Sequence, residues 1–303
     1  MIRVSRHLNG GGSGGTAFVF SGGGSLGAVQ VGMLQALFEN DVAPDFLVGT
    51  SVGAVNAAWV AGRPDTEAIA ELAEIWMSLR RQHVFPLSPV TSARGLLGKT
   101  NHLISNASLR SLLEKHIPYR RLEEAHLPVH VVATDLKNGR AVGLASGPAV
   151  PALLASCAIP GVFPPVAIGR REYMDGGVAN HTPITVALEL GATRIFVLPV
   201  GYPWLNREPA NALGMALHAL ARIVEQKLEA DVAASQSLAD IHVMPTPDVA
   251  DVSPADFSHT AELIDWGYRS ARRQLAGANG HRPAAAGRLP SSPRLRADPA
   301  RAA

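Results

Sequence analysis

Phe46-Leu47-Val48-Gly49-Thr50-Ser51-Val52-Gly53-Ala54-Val55-Asn56-Ala57-Ala58 passes from a short apolar run, through a glycine-flanked serine, into a longer run of small and apolar residues. An apolar run bounded by glycine reads as a buried strand, here 46–49, and the residues from 52 to about 61 read as a helix. Between them Gly49-Thr50-Ser51-Val52-Gly53 matches G-x-S-x-G, in which a serine sits at the tip of a sharp strand-to-helix turn with its hydroxyl exposed. Gly49 and Gly53 let strand and helix approach each other. A strand-turn-helix unit of this kind belongs to an α/β chain.

The same pattern extends outward on both sides. Residues 17–21 read as a strand and 26–39 as a helix, joined by Ser21-Gly22-Gly23-Gly24-Ser25-Leu26-Gly27. Free N–H groups at such a turn face whatever negative charge lies above them, a phosphate or an oxyanion. The spacing Gly22-x-Gly24-x-x-Gly27 also fits a dinucleotide fingerprint, which needs an acidic residue at the end of the second strand. Asp45 stands before that strand, so the oxyanion reading is preferred. Asp65 can cap a helix reaching Arg81, with Ala68, Leu72, Ile75, Trp76 and Leu79 on one face. Further strands are expected at 129–134, 141–145, 172–174, 195–200 and 241–244, with helices at 149–157, 184–190, 212–238 and 259–275. Such alternation predicts a largely parallel sheet with helices on both faces and a ligand site at the carboxyl ends of its strands.

Composition agrees. The chain has 303 residues, 47% apolar and 17% charged, with 29 glycines, which excludes a disordered or collagen-like chain. Its single cysteine, Cys157, allows no internal disulfide, and neither a signal-peptide core nor a membrane span is apparent, so a cytoplasmic and at most membrane-peripheral protein is expected. Residues 1–15 read as a flexible Gly-rich leader, 16–279 as the folded domain, and 280–303 as a disordered basic tail. The net charge of +2 conceals four segments: −4 over 1–77, +7 over 78–121, −5 over 122–279 and +4 over 280–303.

A serine nucleophile needs a base. His181, His218, His242 and His259 are available, but none lies in a recognisable motif. The better candidate is Asp175 in Tyr173-Met174-Asp175-Gly176-Gly177, where a strand ends in glycines. An Asp-Gly-Gly taken alone would be an ordinary turn. No H-E-x-x-H or C-x-x-C spacing suggests a metal. Cys157 reads as a small buried helix residue, Asp135 as a structural strand-end residue, and Trp59 and Trp76 as core.

Taken in order, Gly22 to Gly27, Gly49 to Gly53 and Asp175-Gly176-Gly177 resemble the three blocks of the patatin-like phospholipases. Ala133-Thr134-Asp135-Leu136 and the segment from Ala155 to Pro165 resemble the stretches between those blocks. Gly177 stands where many members have alanine. The resemblance implies a three-layer α/β/α sandwich and a serine acyl hydrolase acting on lipid carboxylic esters in lipid catabolism. It implies a Ser51–Asp175 dyad without histidine, and an oxyanion hole formed by the loop of Gly22, Gly23, Gly24, Ser25 and Gly27. No cofactor or metal is implied. Alternatives are an acyl-thioesterase or acyltransferase with the same dyad, or a non-catalytic nucleotide-binding or regulatory module.

Residues 78–121 combine eight basic residues with the apolar pairs and runs at 84–87, 96–97 and 103–104. They read either as a lid or surface contacting an anionic membrane, or as a plain solvated insertion. Without aromatic interleaving or a binding fold, no specific nucleic-acid contact is expected.

Overall fold

The computed structural model describes residues 15–86, 100–201, 212–249 and 252–278. Its strands are β1 (Gly15–Phe20), β2 (Phe46–Thr50), β3 (Val129–Asp135), β4 (Ala141–Leu144), β5 (Val166–Ile168), β6 (Arg171–Asp175), β7 (Ala192–Leu198) and β8 (Asp240–Val243). Its α-helices are α1 (Ala28–Glu39), α2 (Val52–Gly62), α3 (Thr66–Ser78), α4 (Arg81–Val84), α5 (Ala107–His116), α6 (Ala149–Ser156), α7 (Gly177–Asn180), α8 (Ile184–Glu189), α9 (Ala212–Ser235) and α10 (Thr260–Ala278).

Strands β3, β2, β1, β7 and β8 lie side by side in that order and all parallel, as the alternating pattern predicts. Antiparallel pairing enters only around β3, β5 and β6, so the sheet is mixed but largely parallel. Strand β1 is central and covered on both faces, which explains its unbroken apolar run. Phe18 and Phe20 face one core, with α1, α2, α3, α6 and α10; Ala17 and Val19 face the other, with α8 and α9. The period of two along the strand thus produces the two faces of the three-layer sandwich.

Most elements lie within a few residues of expectation. Three differences have physical causes. The helix capped by Asp65, whose Oδ1 accepts from the Ala68 N–H at 2.7 Å, stops at Ser78 instead of reaching Arg81. Leu79 turns extended to bury its side chain, and the short α4 restarts beyond it. Strand β5 is only three residues long, too short for a periodic signal, and is held by its hairpin to β6. Gly15, expected in the leader, opens β1 and pairs with Ala192. The rest of that leader, residues 202–211, and the tail from 279 lie outside the described residues.

Helix α10 packs on α1 with almost no spacing. A methyl group on Gly267 would collide with the Val29 carbonyl, and one on Gly32 with the Ile264 carbonyl. Alanine favours helix by up to about 1 kcal/mol over glycine, but backbone cannot yield as a flexible side chain can. Gly267→Ala is therefore expected to destabilise by about 1–3 kcal/mol. Gly277→Ala in the same helix, with no atom within 4 Å, is expected to be neutral or slightly stabilising. Urea midpoints of the two variants check this, since propensity alone would move both the same way.

Candidate active site

The site arises where two strands stop against one edge of β3. Val131 pairs with Leu144 of β4 on one side and Gly49 of β2 on the other, while Ala133 pairs with Val142 of β4 and Asp175 of β6. A strand residue has only two sides, so β2 and β6 share the edge opposite β4. They run head-on: β2 ends with Thr50 opposite Val132, and β6 ends with Asp175 opposite Ala133. Ser51, the residue after Thr50, and Asp175 are thereby brought together. Ser156 locks the junction, donating from Oγ to the Val132 carbonyl (2.6 Å) and accepting from the Ser51 N–H (2.8 Å). Nothing in the sequence singled Ser156 out. Thr134 Oγ1 adds a bond to the Asp175 carbonyl at 2.8 Å.

Ser51 has φ 54° and ψ −128°, backbone angles that a residue with a Cβ adopts only under strain. The strain holds because its flanks are filled. A methyl on Gly49 would stand 2.5 Å from the Gly53 carbonyl oxygen, and one on Gly53 would meet the Ser21 carbonyl. Helix α2 starts directly after Ser51 and directs its positive end at the hydroxyl.

The Ser51 hydroxyl lies beside the Asp175 carboxyl and the Cys157 thiol and favours the ionised form of each. Burial pushes the Asp175 carboxyl up to about 6, opposed by the Gly177 N–H, which donates to Oδ1 at 2.7 Å, and by the Ser51 hydroxyl. Cys157 follows α6 and is buried as expected. Burial, then the Asp175 charge, pushes its thiol up, so it is an un-ionised neighbour. His181 lies against the same glycines, its ring close to Gly22 and Gly177, and burial pulls it down to about 4. His242 is instead stacked on Phe196 and paired with Asp240, and His259 is paired with Glu262.

The loop after β1 narrows the set of N–H donors expected from its sequence. The Gly22 N–H donates to the His181 carbonyl (3.2 Å), the Ser25 N–H to the Pro254 carbonyl (2.7 Å), and Gly27 is absorbed into a 3₁₀ turn, Gly24–Gly27. Among the described residues no acceptor engages the N–H groups of Gly23 and Gly24. Their φ values of 148° and 61° favour glycine, and a side chain on Gly24 would strike the Pro254 carbonyl. Below the loop Gln30 donates to the Ser21 and Leu198 carbonyls, while Asn56 donates to the Gly27 carbonyl and Gln30 Oε1 and accepts from Trp76 Nε1 at 3.0 Å. This buried network, invisible in the linear sequence, ties the loop to α2 and α3.

From Ser51 an apolar pocket runs between α2, α3 and α5, with Trp59, Leu72, Phe85, Leu109 and Leu113 among its walls. Trp59 and Trp76, expected as plain core, both line it. Part of the segment 78–121 therefore faces inward: Phe85, Ile104, Leu109, Leu113 and Ile117 are buried, while Arg80, Arg81, Lys115 and Arg120 are exposed. The apolar residues expected at 87 and 96–97 lie outside the described residues. Asp135 is held by the turn N–H groups of Lys137 and Asn138 and by Arg171. Asp45 accepts from the Thr16 N–H at 2.6 Å, at the amino end of the sheet and far along the strand from the glycine loop, which removes the ribose partner that the dinucleotide reading needed. Among the described residues no cluster of His, Cys, Asp or Glu could hold a metal, and no helix is long and apolar enough to cross a membrane.

Comparisons with known proteins cover more than half of the chain. An NTE family protein of Mycobacterium tuberculosis, itself uncharacterized, is 31% identical over 208 residues, covering 63% of this chain and 54% of that protein. Rat patatin-like phospholipase domain-containing protein 7 is 29% identical over 191 residues, covering 61% of this chain and 13% of its own length. The chain thus spans about half or less of these curated relatives. Among solved structures, VipD from Legionella pneumophila aligns over 88% of this chain and 67% of its own, with TM-score 0.49 and 16% identity. The family model described as patatin-like phospholipase matches residues 18–188, a stretch that contains Ser51, Asp175 and the glycine loop, and the chain belongs to that family.

Proposed function

We propose that the chain hydrolyses carboxylic esters of lipids, phospholipids or lysophospholipids among them, through acylation of Ser51 with Asp175 as proton acceptor. The observation that carries this reading is a serine on a strained strand-to-helix turn, beside a buried carboxyl that burial pushes up to about 6, lining an apolar pocket. Asp175 takes the Ser51 proton as the oxygen attacks the ester carbonyl. The resulting oxyanion is met by the N–H groups of Gly23 and Gly24, a pair of donors each worth about 2.7–4 kcal/mol in comparable sites. The proton then passes to the departing alcohol or lyso-lipid oxygen. In the second half, water gives its proton to Asp175 as it attacks the acyl-enzyme, and Asp175 returns that proton to Ser51 Oγ as the fatty acid leaves. Esters and thioesters share this chemistry, and comparing kcat/KM for an ester and a thioester of one acyl chain separates the two substrate classes.

A fluorophosphonate probe is expected to label the protein at Ser51 and to lose that labelling in Ser51→Ala. Folded wild type that resists the probe sinks the reading. Asp175→Asn is expected to lower kcat/KM by about 10⁴-fold, while His181→Ala and His259→Ala keep turnover; full dependence on either histidine would restore a triad.

The base works ionised, so activity rises with pH through about 6 and kcat/KM falls tenfold per unit below it. The same shift acts on stability. The folded pKa lies above the unfolded value of 3.8, so the native state holds its proton more tightly. That contribution is present below pH 4 and is lost as pH rises through about 6. At pH 8 the buried carboxylate costs on the order of 2–3 kcal/mol. Asp175→Asn is therefore expected to melt above wild type at pH 8 and to lose that advantage near pH 4, as thermal scans at the two pH values would read. Ser51→Gly, which relieves the backbone strain, is expected to be about 1 kcal/mol more stable than Ser51→Ala in urea titrations, both being inactive.

A further inference from the structure

We propose that the pocket beside Ser51 measures its substrate, accepting one unbranched acyl chain of about eight to ten carbons and stopping longer chains at Trp59. This rests on the reading of Ser51 as the acylated nucleophile.

The length comes from the helices that line the pocket. On α2 the lining residues are Val52, Val55, Asn56 and Trp59, a single stripe of one helix face. Trp59 stands eight residues beyond Ser51, which is about 12 Å along the helix, and its indole leans back toward the helix start and shortens this slightly. Helix α5 gives an independent measure. Its lining runs from Leu109 to His116, about 10 Å of helix, with Ile117 just past its end. The two helices keep step from mouth to floor. Ile104, just before α5, is bonded to the Val162 carbonyl in the segment that follows Cys157. At the other end the His116 ring lies 6.4 Å from that of Trp59, and the Tyr119 hydroxyl donates to the Ala58 carbonyl.

The floor is defined. The Trp59 indole N–H is fixed on the Ala68 carbonyl at 2.9 Å, where α3 begins. Beyond it α2 abuts Pro118, whose Cγ would lie 2.5 Å from a methyl on Gly62. Trp59 and His116 are themselves half-buried. Burial, with a smaller effect of Lys115, lowers the His116 pKa and keeps the floor uncharged near neutrality.

Apart from the His116 ring at the floor, the walls are apolar. Asn56 is the polar side chain on the α2 stripe, and its amide is committed to Gly27, Gln30 and Trp76. The occupant is therefore hydrocarbon, with the ester at Ser51 and the remaining lipid outside. A saturated chain of bonds near 1.5 Å and angles near 111° advances about 1.25 Å per carbon. A depth of roughly 10–12 Å holds about eight to ten of them. Each buried methylene strengthens binding about fourfold until the floor is reached, and further carbons add nothing.

Two series test this on the full chain. In the first, kcat/KM of wild type is measured on p-nitrophenyl esters of 4 to 16 carbons. It is expected to climb to about ten carbons and then fall at least tenfold by sixteen. Trp59→Ala, which opens the floor, is expected to raise the ratio of the sixteen- to the eight-carbon ester at least tenfold. Val55→Phe, which obstructs the pocket midway, is expected to shift the optimum toward four to six carbons, and it keeps the test decisive if Trp59→Ala does not fold. In the second, calorimetry follows fatty acid methyl esters of the same lengths binding to Ser51→Ala. Affinity is expected to rise about fourfold per carbon and to level off near ten. Hydrolysis that rises steadily to sixteen carbons, or an optimum unmoved in both variants, overturns the length limit and leaves the hydrolase reading standing. A plateau in binding without hydrolysis of any ester overturns the hydrolase reading and leaves the pocket assignment standing.

Discussion

The arrangement depends on the edge of β3 that two strands share. Parallel β2 and antiparallel β6 end against adjacent residues, Val132 and Ala133, so the residues at their tips must meet. A parallel sheet alone would set Ser51 and any later strand end side by side, at the spacing of neighbouring strands. Reversal of β6 replaces that with an end-to-end meeting, which brings the Ser51 hydroxyl beside the Asp175 carboxyl. Ser156 makes the meeting rigid. Its hydroxyl completes the hydrogen bonding of Val132 and Ser51, two backbone groups that the junction would otherwise strand.

Close packing around the junction maintains conformations that would relax in isolation. Ser51 is held at positive φ by α2, which approaches β1 and β2 only because Gly49 and Gly53 lack side chains. The glycine loop is held from above by the Ser253 and Pro254 carbonyls and from below by Gln30 and Asn56. With its neighbours so engaged, the loop turns the N–H groups of Gly23 and Gly24 outward without partners in the described chain. The segment that carries Ser253 and Pro254 leads into α10, which packs on α1 at backbone distance through Gly32 and Gly267.

The three motif blocks and the central strands were legible in the sequence because each depends on local signals: apolar runs, glycine turns and the Asp65 cap. What was not legible depends on tertiary choice. The approach of Asp175 to Ser51 needs the reversal of β6, which rests on a two-residue hairpin with a three-residue β5, and no periodicity reports so short a strand. Ser156 reads as one more small residue in a helix. Residues 78–121 were dominated by their charge, which hid the two-faced pattern of α5. Leu109 and Leu113 are one turn apart and buried, while Arg110 and Glu114 beside them pair at the surface. Of the five donors expected in the glycine loop, distant carbonyls engage Gly22 and Ser25 and a local 3₁₀ turn takes up Gly27, and only the first of these effects is hidden from the linear sequence.

Burial also settles which side chain at the junction is the stronger base. In water an imidazole, with a pKa of 6.5, outranks a carboxylate at 3.8. Here His181 is pulled down to about 4 and Asp175 pushed up to about 6. The cause is one desolvation acting on two charge types: it disfavours the cation that histidine becomes on binding a proton, and the anion that aspartate becomes on losing one. Both shifts favour the neutral form, so they move in opposite directions and the order inverts. In the proposed reaction, a histidine in this pocket would hold a proton poorly through the step in which Ser51 gives one up, whereas an aspartate holds it better than it would in water. The dry surroundings that suit the proposed acyl chain thus also make a carboxylate the stronger base, and in the proposed hydrolase the strained turn and the apolar pocket are parts of one physical solution.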